Sequence, residues 1–330
     1  LNAKVFSSTT EQATDTDIIS AIDWCIAQNA SILTLSLGGP DATNDGSDAL
    51  SQYVDVAADQ GKIVTIAAGN SGPDENADCR TAGDGATYSI CSPGLAHKVI
   101  TVGSTQSGKA GSSQDVISGF SSRGPTKDER IKPDVTAPGQ PINSTWINGG
   151  FNSISGTSMS TPMVAGLAAL ILQARNITPE ELKALIMNTA VDLGTTGKDN
   201  SYGAGRVNGS RLFNEINNTA RATIRNESRI HNIFVPANTE IRATLYWPEN
   251  YSVHNNIDLY LLDPAGNIKT VSQSVNNTDE IINLTLPFSG NWKLLINGTV
   301  NGSQAYAIAS NFKPSEQMHL VIQNISNMTV

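Results

Sequence analysis

The sequence is poor in positive charge and has no long apolar run, and each absence excludes a class of partner. It carries 21 Lys and Arg residues against 30 Asp and Glu residues, a formal net charge of −9 over 330 residues. Nucleic-acid binding needs basic surfaces, so we expect no nucleic-acid partner. No apolar run approaches the roughly 20 residues that span a bilayer, so we expect no membrane span.

Cysteine is scarce, with three residues in the chain. Cys79 and Cys91 bracket a loop rich in Gly, Asp and Ser and lie near enough along the chain to form a disulfide. The alternative is two unpaired thiols in a loop. Cys25 falls within a helical pattern and is predicted to be a core residue.

Two features of the sequence favour an exported protein. Asn-X-Ser/Thr sequons are dense, among them those at Asn143, Asn226, Asn283 and Asn297, and they predict a glycoprotein that is secreted or held at the cell surface. An Asn-rich composition would produce some of these sequons by itself. The sequence begins at Leu1 without a signal peptide, so we expect a processed chain or one that starts partway through its gene. The alternating segment LNAKVFSS at the start predicts a strand.

Up to about residue 216, predicted helices and strands alternate. TDTDIISAIDWCIAQNA and DALSQYVDVAADQG have amphipathic helical patterns, whereas SILTLSLGG, KIVTIAAGN and HKVITVGST are apolar runs of strand length. This alternation is typical of βαβ units and predicts a parallel sheet with flanking helices, an α/β fold.

The pattern changes after about residue 217. Short alternating segments separated by Pro, Gly and Asn turns predict an antiparallel β-sandwich, for example TEIRATLYWP and NIDLYLLDPAGNIKTVS. We therefore expect two domains, at residues 1–216 and 217–330.

The segment FNSISGTSMSTPMVAGLAALIL places Ser158 where a polar stretch meets an apolar helix. One interpretation is a helix cap, because Ser is a favoured N-cap and Pro162 suits a first helical turn. The other is a nucleophile. A hydroxyl at the amino end of a buried helix lies near free N–H groups and the positive end of the helix dipole, which stabilise an oxyanion.

GTSMSTPMVAG resembles the nucleophile segment of the subtilisin-like serine proteases, with Ser158 in the nucleophile's position. Further segments resemble the family in the same chain order, over roughly residues 1–214: LTLSLGG, IVTIAAGNSG, FSSRGP, IKPDVTAPG and YGAGRVN. The sedolisins share an SGTS serine but have Asp at the position of Asn70, so Asn70 favours the subtilisin side.

The resemblance implies a role for several residues. Asn70 would donate to the oxyanion, with a turn residue in GNSG as the alternative. Ser36, Leu37 and Gly38 would pair their backbone with an extended peptide substrate. Ala67, Ala68 and Gly69 would form one wall of the pocket for the residue before the scissile bond, and Ile90 to Pro93 its far side. Such small residues imply a broad endopeptidase that accepts sizeable apolar side chains.

The base that would activate Ser158 is missing from the resembling segments. The family has the chain order Asp, His, Ser, and none of His97, His231, His254 and His319 lies in a segment like the family's histidine motif. We therefore expect the catalytic Asp and His upstream of Leu1, and this chain alone to be inactive. The alternatives are a cleaved chain with a noncovalent partner piece, and a noncatalytic pseudoprotease that binds peptides or surfaces. His97 is predicted to be a surface residue or a structural residue with its hydrogen bonds satisfied.

The C-terminal region resembles the jelly-roll or pre-peptidase C-terminal modules of secreted proteases. No cofactor is expected for catalysis, and structural Ca²⁺ is left open, with Asp258 and Asp263 as candidate ligands. The alternative for Asp263 is a hairpin turn at Asp263-Pro-Ala-Gly. The expected partners are polypeptide substrates and an N-terminal propeptide.

Overall fold

The computed structural model describes residues 1–10, 12–73, 79, 87–106, 115–147 and 149–317, and the chain forms two compact units. The first unit comprises Leu1–Pro179, Asp192–Gly194 and Asp199–Val207. The second comprises Glu180–Val191, Thr195–Lys198 and the chain from Asn208 onward. The chain therefore passes between the units more than once, and the boundary at residue 216 stays a prediction.

The first unit is built on a parallel four-stranded sheet with the order β1-β2-β3-β4. Its strands are β1 (Ile32–Leu35), β2 (Ile63–Ala67), β3 (Ile100–Gln106) and β4 (Val135–Gln140). Every residue of β2 is buried, as expected where layers cover both faces of a parallel sheet. The hairpin of β5 (Ile142–Thr145) and β6 (Phe151–Ile154) follows β4. The predicted α/β fold is confirmed.

Two helices of this unit begin where the sequence supplies capping side chains. Helix α1 (Asp15–Ala27) starts with a capping box between Thr14 and Asp17, which satisfies backbone N–H groups of the first turn. Helix α2 (Ala49–Asp59) starts at the N-cap Asp48, which accepts a hydrogen bond from the backbone of Ser51. Both helices bury an apolar face against β1 and β2 in one core cluster.

The third helix of the unit, α3 (Thr157–Ala174), packs against all four strands of the sheet. It contains Pro162 and has Gly156 as its N-cap. By length and composition α3 could cross a membrane, and it is the only such helix in the described residues. This corrects the expectation that no apolar run approaches that length. In the structure α3 packs one face against the parallel sheet.

The prediction of a strand at LNAKVFSS is wrong, because residues 1–8 have no strand conformation. Residues 1–6 line a cavity of 680 Å³ together with residues of α1 and β1. Within the described residues β1 hydrogen-bonds to β2 alone, so the alternating segment has no neighbouring strand with which to pair.

The second unit contains the predicted antiparallel strands. They are β7 (Thr219–Ile224), β8 (Arg229–Val235), β9 (Thr239–Tyr246), β10 (Asn256–Leu262), β11 (Ile268–Ser272), β12 (Asp279–Leu286), β13 (Gly290–Thr299), β14 (Gln304–Ser310) and β15 (Ser315–Gln317). Two sheets are formed, with the orders β11-β10-β13-β8-β15 and β12-β9-β14-β7. Apolar side chains from both sheets share one core, in which Trp247 and Trp292 are fully buried. Two helices also belong to this unit, α4 (Pro179–Thr189) and α5 (Gly209–Asn214).

A buried carboxyl group makes the stability of the second unit depend on pH. Glu280 on β12 is 3% exposed, and its carboxyl accepts hydrogen bonds from the Ser272 hydroxyl and the Ser274 backbone. Burial, and to a smaller extent the nearby carboxylates of Asp279 and Asp258, raise the pKa of Glu280 to about 8, although the two hydrogen bonds act to lower it. The folded state therefore holds a proton at neutral pH that the unfolded chain releases.

Glu280→Gln is expected to stabilise the second unit at pH 8. A group with a raised pKa contributes stability at low pH, and this contribution is lost as the pH rises from the unfolded pKa to the folded one. The wild type should therefore lose roughly 3 kcal/mol between pH 5 and pH 8 through this group. The isosteric Gln side chain matches the neutral acid and should remove this loss. Denaturant unfolding of the wild type and of Glu280→Gln at pH 5 and pH 8 measures this change in the free energy of unfolding. If the change were equal in the two proteins, the prediction would be contradicted.

Candidate active site

Ser158 lies in the first turn of α3 and is partly exposed. Because the N-cap is Gly156 and makes no side-chain capping bond, Ser158 is not the helix cap. Its hydroxyl lies 3.4 Å from the backbone oxygen of Ser36 and donates to it. The hydroxyl is therefore presented at the amino end of the helix, free of a capping role.

Asn70 follows β2 and contacts the same helix end. Its Oδ1 accepts hydrogen bonds from both the backbone N–H and the hydroxyl of Thr157, each at 3.0 Å. Two donors on one oxygen fix the amide orientation, so the Nδ2 group points to the other side. A methyl group built on Gly156 would lie 3.5 Å from Asn70 Nδ2 and 3.7 Å from the Ser158 backbone nitrogen. Both nitrogens therefore lie close to one point beside Gly156 at the start of α3, which is the space where the two predicted donors to an oxyanion would meet.

The residues predicted to align a peptide continue directly from β1. Ser36 and Gly38 are exposed and Leu37 is half-buried, so backbone groups of this stretch are accessible to a ligand strand. Gly39 exchanges two backbone hydrogen bonds with Ser92, at 2.9 and 3.0 Å. The structure therefore brings this stretch against the Ile90 to Pro93 segment, and its role in binding substrate stays a prediction.

The predicted pocket wall contacts a disulfide bond. This disulfide joins Cys79 and Cys91, with an S–S distance of 2.03 Å. The Cys91 backbone N–H donates to the Ala68 oxygen at 2.9 Å. Gly69 has a positive φ of 108°, and a Cβ there would lie 2.3 Å from Cys91 Sγ, so this position requires glycine. Ala67 is also buried. The hydrogen bond between Ala68 and Cys91 joins the predicted wall of the pocket directly to its predicted far side.

The described histidines are engaged in structural contacts. His97 is buried, its backbone N–H donates to Asp55, and its ring lies 3.8 Å from an Asp128 oxygen. In the second unit, His231 bonds to Tyr306 and His254 bonds to Glu249. Burial lowers the pKa of His231 to about 4, which keeps its ring neutral. His319 lies outside the described residues.

The two candidate metal ligands do not share a site. Asp258 is in β10 and Asp263 follows it five positions later, which in an extended chain is roughly 16 Å. Asp263 accepts two hydrogen bonds from Asn267, at 2.9 and 3.0 Å, in the turn between β10 and β11. Among the described residues, no group of three or more His, Cys, Asp or Glu side chains could hold a metal ion. Asp263 is thus part of the hairpin turn, and metal binding stays untested.

Sequence reasoning missed two side chains of this site. Thr157 orients the Asn70 amide, and the Ser36 hydroxyl donates to the backbone oxygen of Ser158 at 2.9 Å. A signal for the second contact is Pro162, which lies four residues after Ser158 and has no N–H for the helix.

The site's geometry agrees with comparisons to known proteins. Residues 1–205 match the model of the Subtilase family, Peptidase_S8. The chain is 39% identical over 217 residues to serine protease AprX of Bacillus subtilis, covering 58% of this chain and 46% of that protein. It is 36% identical over 192 residues to subtilisin of Bacillus pumilus, covering 58% and 59%. The chain therefore spans about half the length of these relatives.

Solved structures show the same fold. The protease domain of PatA matches with a TM-score of 0.51 and 24% identity, over 64% of this chain and 69% of that one. Sphericase matches with a TM-score of 0.50 and 29% identity, over 62% and 66%. Since the family model covers more than half of the chain and includes Ser158 and Asn70, the chain belongs to the subtilase family.

Proposed function

We propose that the protein to which this chain belongs is a secreted serine endopeptidase with Ser158 as its nucleophile. The Ser158 oxygen attacks the carbonyl carbon of a peptide bond while a base takes the hydroxyl proton. The C–N bond then breaks, the amine leaves with that proton, and water hydrolyses the acyl-enzyme to regenerate Ser158. The observation that carries the proposal is that Asn70 Nδ2 and the Ser158 backbone nitrogen lie 3.5 and 3.7 Å from one point beside Gly156.

The base and its orienting carboxylate are proposed to lie upstream of Leu1. The rings of the described histidines contact Asp128, Tyr306 and Glu249, and none of these contacts is with Ser158, which supports a base from outside this sequence. The cavity lined by residues 1–6, α1 and β1 also supports it, because this space extends to Ser36, whose backbone oxygen contacts the Ser158 hydroxyl. A segment that fills the cavity would therefore end close to the nucleophile.

Substrate choice and export follow from the same proposal. The resemblance places Ala67, Ala68 and Gly69 at the pocket for the residue before the scissile bond, and on that basis we propose a broad preference for large apolar residues there. An N-terminal propeptide, glycosylation at the sequons and structural Ca²⁺ are proposed as features of an exported protease, and each has its own test by sequencing, glycosidase treatment or chelation.

The first test reads the coding sequence immediately upstream of Leu1 and then labels the encoded protein with a fluorophosphonate. We expect an open frame that encodes an Asp-containing and a His-containing segment. The extended protein should hydrolyse casein and take up one probe molecule on Ser158, because only an activated serine reacts with this reagent. Peptide mapping by mass spectrometry locates the adduct.

The matched control is the same protein unfolded in denaturant, which should take up no probe. A start codon directly before Leu1, together with no labelling of the folded chain, would contradict the proposal. The protein would then be a binding scaffold on a protease fold, or one half of a two-chain enzyme.

A further inference from the structure

The backbone carbonyl of Ser158 lacks its helical hydrogen bond. In an α-helix the N–H of each residue donates to the carbonyl four residues earlier. The residue four positions after Ser158 is Pro162, which lies inside α3 and has no N–H. The carbonyl of the proposed nucleophile is therefore left without the donor that would otherwise hold it in the first turn.

A side chain distant in sequence supplies this donor. The Ser36 hydroxyl donates to the Ser158 carbonyl oxygen at 2.9 Å, although the two residues are 122 positions apart. In the opposite direction, the Ser158 hydroxyl donates to the Ser36 carbonyl oxygen at 3.4 Å. Ser36 thus contacts both the backbone and the side chain of Ser158.

We propose that Ser36 is a positioning residue, whose hydroxyl replaces the helix donor that Pro162 removes and fixes the backbone of Ser158. The inference rests on the proposed function. That backbone carries both the nucleophilic Oγ and the N–H group that faces the oxyanion space, so one hydrogen bond sets the position of both. It also joins the nucleophile to the stretch that is predicted to bind the substrate.

The role predicts an effect on turnover and little effect on binding. Ser36 would pair with a peptide through its backbone, which a side-chain substitution leaves in place. Loss of the hydroxyl would let the Ser158 backbone shift, and small misplacements of reacting groups lower the rate of the chemical step. The ground-state complex is less sensitive to such a shift, so kcat should fall while KM changes little.

The test compares Ser36→Ala with Ser36→Thr in the full-length protein, using a peptide p-nitroanilide with a large apolar residue before the cleaved bond. Ser36→Ala should lower kcat about tenfold with KM within about twofold. Ser36→Thr, which keeps the hydroxyl, should restore most of the loss. Ser153→Ala, an exposed serine on β6, is the matched control and should behave as wild type.

A double-mutant cycle with Pro162→Ala tests directly whether the Ser36 hydroxyl matters because Pro162 has no N–H. Alanine at this exposed position provides an N–H for the Ser158 carbonyl, so the hydroxyl of Ser36 becomes redundant. Ser36→Ala should therefore cost much less kcat in the Pro162→Ala background than in the wild type, a non-additive pair. Thermal unfolding of each variant shows that the comparison is made between folded proteins.

The outcomes separate this inference from the proposed function. If the wild type neither cleaves peptides nor reacts with a fluorophosphonate, the proposed function and this inference both fail. If the wild type is active, two results overturn the inference alone. One is an unchanged kcat in Ser36→Ala, and the other is an equal loss of kcat with and without Pro162.

Discussion

Replacing Ser158 by alanine in the full-length protein is expected to lower kcat on the order of 10⁶-fold, the loss measured for the corresponding change in subtilisin. The substitution removes the attacking oxygen and leaves the donors at Asn70 and the Ser158 backbone in place. KM should stay close to the wild-type value, because the residues predicted to hold the peptide are unchanged. Steady-state cleavage of a peptide p-nitroanilide, with a parallel casein assay, measures both constants.

The matched control is Ser153→Ala, which removes the same hydroxyl from an exposed strand position. It should leave kcat unchanged. Some cleavage should remain in Ser158→Ala, since oxyanion donors and substrate binding alone accelerate hydrolysis by about 10³ to 10⁴-fold over water. Full activity in the variant would exclude Ser158 as the nucleophile and would place the chemistry at another group.

The α/β layers could be predicted from sequence because several independent signals agreed. Thr14 and Asp17 cap α1, Asp48 caps α2, and the apolar runs KIVTIAAGN and HKVITVGST have the length and composition of buried parallel strands. The first eight residues show the limit of this reasoning. Alternation in LNAKVFSS describes which side chains face the interior, but a strand also needs a hydrogen-bonding neighbour, which the described chain does not supply.

The proposed site was predictable only in part. Ser158 and Asn70 were found because each lies in a segment that resembles the family. The contacts that orient them, from Thr157 and the Ser36 hydroxyl, depend on a fold that joins residues far apart in sequence. The raised pKa of Glu280 could not be predicted from the sequence either, because it arises from burial and from the neighbouring carboxylates of Asp258 and Asp279. Contacts between residues far apart in the chain produce no periodic pattern in the sequence, so they could not be predicted from it.

Asn70→Asp is expected to lower kcat by at least about 10² to 10³-fold, the cost of removing this donor in subtilisin. Aspartate keeps an oxygen that can accept from the backbone N–H and the hydroxyl of Thr157, so the side chain should stay in place. The atom that faces the oxyanion space changes from an N–H donor to an oxygen without a hydrogen to give. The loss should therefore appear in kcat, where charge develops, and KM should change little.

Asn70→Ala separates this electrostatic effect from the structural one. Alanine removes the donor and also the acceptor for Thr157, so its kcat should fall as in Asn70→Asp. Its free energy of unfolding should drop by about 2 kcal/mol more than that of Asn70→Asp, because two hydrogen bonds from Thr157 are lost and each contributes about 1 kcal/mol net. If Asn70→Asp instead raised KM at constant kcat, the amide would bind the ground state of the peptide. The space between Asn70 and the Ser158 N–H would then be a substrate contact and not an oxyanion site.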